Sequence, residues 1–240
     1  MTVSILRFKA PLMGFGAPTT GAKIPTRRFP PQSMICGLIA NGLGYDQSEA
    51  ERHQKLQASL TYAARADQPG EVLQEYQTTD LGQPKMYASS KTKTVGWTTR
   101  GEPEFRDGDN KTETEQTYKD YLMDASYTVA VRSTLLGEEA IRKAMIRPER
   151  PLFLGRKCCI PSARIWRGTV EAEDVLGALR VPETFSGEVV DRPSVWCPAE
   201  LAPTARSFTV TDKRDWSQQI HSGQRRVAQL RLSAAGYQEG

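Results

Sequence analysis

The chain has 240 residues, 38% of them hydrophobic, and a formal net charge of +4. That suits a folded protein of one large domain or two small ones. No apolar run approaches the length of a membrane-spanning helix, so no membrane partner is expected. The N-terminus lacks the basic region and long apolar core of a signal peptide. Four cysteines form no C-x-x-C pair and stand with two histidines. A zinc site and a disulfide framework are therefore not expected, and the expected setting is the reducing cytoplasm.

The small net charge hides a pattern. Residues 1–45 carry Arg7, Lys9, Lys23, Arg27 and Arg28 and no acid. Residues 150–170 carry Arg150, Arg156, Lys157, Arg164 and Arg167, again without an acid. The acids gather mainly in 46–51, 102–124 and 171–200. Acid-free basic windows in a nearly balanced chain point to a localised anionic partner.

In chain order, Val3–Lys9 alternates in part and reads as a strand. The Gly/Thr-rich loop that follows contains Gly16-x-x-x-x-Gly21-Ala22-Lys23. Its lysine is one place late, it lacks the hydroxyl residue, and Pro25 blocks helix entry, so an NTPase is excluded. Lys23–Tyr45 is the organising stretch. Pro30 and Pro31 suit the entry of a helix. Met34, Ile35, Leu38, Ile39 and Leu43 make one apolar face, and Gly44 stops it. The first turn is expected to present free backbone N–H groups beside Arg27 and Arg28, a site for phosphate.

Asp46–Lys55 reads as a charged connection, with His53 a solvated surface residue. Ser59–Arg65 and Val72–Thr78 read as strands. Thr79–Thr117 is long, polar and poor in branched aliphatics, and carries Lys85, Lys91, Lys93, Trp97, Arg100, Arg106 and Lys111. An insertion of that length is functional or disordered, and a protruding hairpin is one ordered form. Tyr127–Arg132 reads as a strand and Glu138–Met145 as a helix. Gly155 marks a turn, and a last strand is expected to end near Trp166 and Arg167. Beyond Gly168 the pattern weakens. A short helix is expected at Asp174–Leu179 and strands at Ser207–Thr211 and Val227–Leu232. Arg225-Arg226 reads as a solvated turn.

The expected fold is α+β. It is a ferredoxin-like (RRM-like) β-α-β-β-α-β domain over 1–168, with a β-hairpin thumb at about 79–117 and a small β-rich C-terminal subdomain over 169–240. In that topology the loop after the first strand, the insertion and the Gly155-Arg156-Lys157 turn leave from one edge of the sheet. The basic segments then converge there.

Three stretches carry a family resemblance. RRFPPQSMICGLIANGLG resembles the first-helix motif of the CasD (Cas-five) family of type I CRISPR effector subunits. TETEQTYKDYLMDASYTVAV looks like that family's strand returning from the thumb, and PLFLGRKCCIPSARI like its Leu-Gly-Arg-Arg/Lys-x-Cys-Pro turn. The likeness covers about Val3 to Trp166 and is nearest to type I-E Cascade. It implies a non-catalytic RNA-binding subunit of the RAMP group that holds the 5′ handle of CRISPR RNA and caps the backbone filament in antiviral DNA targeting. The implied partners are CasC-type backbone subunits, a CasA-type large subunit and target DNA through the assembled complex. No cofactor or metal is implied. Arg27, Arg28 and Ser33 fall on the first-helix motif, and Gly155, Arg156 and Lys157 on the turn motif. Lys23 lies in the same basic window, and Lys91, Lys93, Trp97 and Arg100 lie in the expected thumb. Phe29 or Trp97 would stack on a base. Some relatives cut repeat RNA. His53, His221, Tyr45 and Lys157 are the candidates for that chemistry, but no cluster of them is visible, and the scaffold reading is preferred to a metal-independent endoribonuclease.

Overall fold

The structure is a computed structural model, and it describes residues 1–19, 21–80, 95–97, 103–105, 114–184 and 189–232. In chain order the elements are β1 Thr2–Lys9, β2 Leu12–Met13, β3 Lys23–Ile24, α1 Gln32–Gly42, α2 Ala50–Ser59, β4 Leu60–Gln68, β5 Glu71–Asp80, β6 Val95–Trp97 and β7 Pro103–Phe105. After them come β8 Thr114–Met123, β9 Ser126–Ser133, α3 Glu138–Ile146, β10 Trp166–Glu171, α4 Val175–Ala178, β11 Ser194–Pro198, β12 Arg206–Asp215 and β13 Ile220–Arg231. Asp46–Lys55, read as a connection, thus enters a full helix, and the strand expected to end at Trp166 begins there.

The contacts divide the chain elsewhere than at Gly168. One unit comprises residues 1–18, 26–73 and 121–240; the other comprises 19–25 and 74–120. The first is built on a seven-stranded sheet of order β10-β1-β9-β4-β11-β13-β12. β1 runs antiparallel to β10 and β9, and β4 runs antiparallel to β9 and β11. The weakly patterned tail is therefore no separate layer. Three of its strands extend the same sheet, because Val195, Cys197 and Ala228 bury one face while Trp196 and Val227 bury the other.

Both faces of the central strands are covered, so their residues read as nearly continuous apolar runs rather than clean alternation. Leu6, Phe8, Tyr62, Val129 and Val131 pack toward α1, α2 and α3. Val3, Ile5, Ala63 and Ala130 pack toward α4. The helix layer is tight. A Cβ on Gly42 in α1 would lie 2.3 Å from the Ala144 carbonyl oxygen in α3. On the opposite face Arg65 is fully buried. Its Nε donates to Asp67 Oδ1 at 2.6 Å, and its guanidinium donates to the carbonyls of Leu179 and Thr184 at 2.7 and 2.9 Å. That network ties the segment after α4 to the sheet with every long-range bond charge-assisted. Burial raises the Asp67 carboxyl above its ordinary range, against the pull of Arg65.

In the second unit β3 runs parallel to β8, with Lys23 opposite Tyr118, and the Tyr118 N–H donates to the Ala22 carbonyl at 2.9 Å. Gln74 donates to Asp120 at 3.0 Å, and the rings of Tyr76 and Tyr118 are 5.2 Å apart. β6 and β7 pair antiparallel, Val95 opposite Phe105.

Candidate nucleic-acid interface

Strand register fixes which loops share an edge. Lys9 at the end of β1 pairs with Ser126 at the start of β9, and Gln68 at the end of β4 pairs with the same residue. Trp166 at the start of β10 pairs with Leu6 near the end of β1. The segments after β1 and β4, and those before β9 and β10, therefore leave the sheet on one side. Hydrogen bonds stitch them together. The Gly14 N–H donates to the Leu154 carbonyl at 3.1 Å, and the Arg27 N–H donates to the Phe15 carbonyl at 2.7 Å. Residues 14–15 thus bridge the Arg27–Arg28 segment to the Gly155–Lys157 turn, although about 130 residues of sequence lie between the two.

The turn is shaped by sterics. Gly155 has φ +96, and a Cβ there would lie 1.8 Å from the Gly14 carbonyl oxygen. Only glycine permits that approach. Leu154 N–H to Cys159 carbonyl and Cys159 N–H to Arg156 carbonyl close the loop at 2.8 and 2.9 Å. The Arg156 guanidinium lies 4.4 Å from the centre of the Tyr121 ring, and Lys157 is exposed beside it. Burial pushes the Tyr121 hydroxyl up to about 12, so a neutral phenol underlies the guanidinium at neutral pH.

The structure treats the other expected residues unequally. Arg28 is exposed; its guanidinium donates to the Gly70 carbonyl at 3.3 Å, and its own carbonyl accepts from the Tyr127 hydroxyl at 2.8 Å. Arg27 is half-buried; it donates to the Thr211 carbonyl at 3.1 Å, and its Nε is enclosed without a hydrogen-bond partner among the described residues. Ser33 is buried, its hydroxyl 3.1 Å from His221 Nε2. Lys23 is exposed and belongs to the second unit. Lys91, Lys93 and Arg100 lie outside the described residues, as does the side chain of Trp97.

Several sequence expectations are corrected here. The first turn of α1 is not an open row of N–H groups: those of Met34 and Ile35 donate to the Pro31 carbonyl at 3.0 and 3.2 Å. The Gln32 N–H donates at 3.1 Å to Asp212 Oδ2, and Asp212 is buried and paired with Arg225 at 2.8 Å. The chain supplies its own anion to that helix end. Arg225 is accordingly no turn residue: it lies in β13 and donates to Asp212 and to the Tyr62 hydroxyl. His53 is not solvated. It is 6% exposed and stacks on Trp216 at 4.6 Å, with its Nδ1 3.0 Å from the Glu49 carbonyl oxygen. Phe29 is 5% exposed and stacks on Trp196 at 5.6 Å, so it is a wall rather than a free platform. For the first three the physical reason is common: the β12–β13 hairpin packs against α1 and α2 and covers what the local sequence leaves open. Phe29 is covered by Trp196 of β11 together with Phe208 of β12.

A cavity of about 640 Å³ opens on the same side. Its floor is one face of the sheet, with Tyr127 of β9, Ala66 of β4, Trp196 of β11, Gln229 of β13 and Phe208 of β12. Arg27, Arg28, Arg192 and Arg231 line it against a single carboxylate, Asp191. Arg192 and Arg231 show no ion pair among the described residues. Neither arginine falls in a basic window of the sequence. Arg192 follows an acid-rich stretch, and only the register of β11 and β13, Ser194 opposite Arg231, brings the two together. Among the described residues no group of three or more His, Cys, Asp or Glu is placed to hold a metal ion.

A family model described as CRISPR-associated protein (Cas_Cas5) matches residues 5–228. The chain belongs to the Cas5 family. This Cas5 protein is 31% identical over 195 residues to the CRISPR system Cascade subunit CasD of Escherichia coli strain K12, an alignment covering 80% of this chain and 81% of that one. Its fold is similar to a chain of a CRISPR RNA-guided surveillance complex, with a TM-score of 0.69 at 20% identity, covering 98% of this chain and 96% of the other. A crystal structure of a Cas protein is similar at a TM-score of 0.64 and 22% identity, covering 100% and 99%. These structural likenesses show the mixed α+β, sheet-dominated fold. Among the described residues no helix is long and apolar enough to cross a membrane.

Proposed function

We infer that this Cas5-family protein is a non-catalytic, RNA-holding subunit of a CRISPR surveillance complex, and that its basic edge grips the 5′ handle of the CRISPR RNA. The observation that carries this reading is the stitching of the Arg28 segment to the Gly155-Arg156-Lys157 turn through residues 14–15. Two cationic segments distant in sequence then serve one phosphate chain. Arginines take phosphates with fork geometry, and glycine lets backbone come close. The relationship to CasD supports the assembly, with CasC-type and CasA-type subunits as neighbours. The spatial order β10-β1-β9-β4 supports reading β1, β4, β9 and β10 as the four strands of the ferredoxin-like unit. The pairing of β5 with β8 supports reading the residues between them as a thumb.

Arg28→Glu combined with Arg156→Glu tests the reading, with Arg27 left intact because its guanidinium supports the fold. Handle RNA should bind at least tenfold more weakly at low salt while the circular dichroism spectrum stays native. Unchanged affinity would sink the proposal. Incubation with repeat RNA in the absence of divalent metal tests the non-catalytic part. RNA should stay intact, whereas a discrete fragment lost in His221→Ala would make the protein an endoribonuclease.

A further inference from the structure

We propose that the cavity beside the basic edge is a receptor for one unstacked base of the bound single strand, with Phe208 as its stacking face and Gln229 as the group that reads its edge. The proposal rests on the RNA-holding reading and adds to it a site of base recognition.

The geometry comes from strand register. Phe208 of β12 lies opposite Val227 of β13, and Gln229 is two residues further along β13. Residues two apart in a strand share a face, so Gln229 projects on the same side as Phe208. Trp196 of β11 lies opposite Gln229 and continues that face. The result is a floor with an aromatic ring beside an amide. Phe208 is half-buried, more open than the buried Phe29 and Trp196 behind it. Its ring centre lies 6.3 Å from that of Phe29 in a T-shaped arrangement, so the two rings are not stacked on one another. The side-chain amide of Gln229 makes no hydrogen bond to a described residue. An amide carries donors and an acceptor together, the pattern that pairs with a base edge.

Charge argues for the same ligand. Four arginines face one carboxylate around the opening. Such an excess suits the phosphates on either side of a splayed nucleotide. An apolar small molecule would have no use for it, and a protein side chain would have to bring several acids. The volume, about 640 Å³, lies within the range of pockets that enclose a small ligand. Continuity with the edge completes the argument. Arg28 lines the cavity and also stands on the phosphate path, so a strand held along the edge passes the opening. Phosphate contacts alone carry no sequence information; this cavity supplies a place where it is read.

The test uses the full chain and labelled eight-nucleotide RNAs: rA8, rC8, rU8 and an abasic ribose-phosphate oligomer of the same length. Fluorescence anisotropy should show at least one homopolymer binding about tenfold or more above the abasic oligomer, the size of one base–aromatic stack. Phe208→Ala should abolish that advantage. Gln229→Leu, close to it in volume, should flatten the differences among the three homopolymers while the abasic affinity stays as it was. Equal binding of all four oligomers by the native chain would overturn the base receptor and leave the phosphate-gripping edge intact. Failure to bind any of them would overturn both. Free nucleoside monophosphates binding as tightly as the oligomers would overturn the strand as the occupant.

Discussion

His221 shows how one side chain comes to depend on residues nearly the whole chain away. It lies opposite Arg214 across the β12–β13 hairpin, and its Nε2 is 3.1 Å from the Ser33 hydroxyl at the start of α1. Desolvation, then Arg214 and Arg27, hold its pKa below the ordinary 6.5, while Asp212 pulls the other way. The folded state therefore resists protonation of this ring more than the unfolded state does. Its contribution to stability is complete above about pH 6.5 and is lost as the pH falls through the depressed value. Urea midpoints should drop between pH 7.5 and pH 5, and His221→Gln should reduce that drop. An identical drop in the variant would remove His221 from the account. The same residue illustrates the reach of sequence reading. A lone histidine in a weakly patterned tail carries no local mark of its partner, because the partner is set by where the hairpin lands.

Between elements, the joint that matters is α1 against β12 and β13. Asp212 accepts from the Gln32 N–H, pairs with Arg225, and is 1% exposed. A buried ion pair adds little over apolar packing, but removing one partner strands the other. Asp212→Asn should therefore cost about 3–5 kcal/mol in denaturant unfolding, from an uncompensated Arg225 and a weakened helix start. A loss under about 1 kcal/mol would mean water reaches this joint and screens it, as at a surface pair. The helix itself was legible from sequence: Ile35, Leu38 and Ile39 recur at helical spacing, and all three are buried. Its N-terminus was misread for a physical reason. The basic, proline-rich approach is what an anion site needs, yet the anion comes from the chain's own strand.

For the whole molecule, the consequence is a salt-dependent grip. If Arg28, Arg156, Lys157, Arg192 and Arg231 each neutralise a phosphate, the logarithmic slope of single-strand affinity against salt is about −3.5. A fourfold rise in salt should then weaken binding of an unstructured RNA about a hundredfold. The Arg28→Glu, Arg156→Glu variant should show a slope shallower by about 1.4, the share of two phosphates. An unchanged slope would show that those two side chains lie off the RNA path.

The sequence by itself determined the acid-free basic windows, the glycine turn at Gly155, the first helix and its motif, and through them the family. These are local facts: spacing, backbone freedom and charge are written in neighbouring residues. The tertiary structure alone decided that the tail extends the main sheet, that Asp212 occupies the helix end, and that Arg192 and Arg231 meet Arg28 around a cavity. Those facts depend on strand register, and register is a property of pairs of segments far apart in the chain, where a shift of one residue would turn every side chain to the other face.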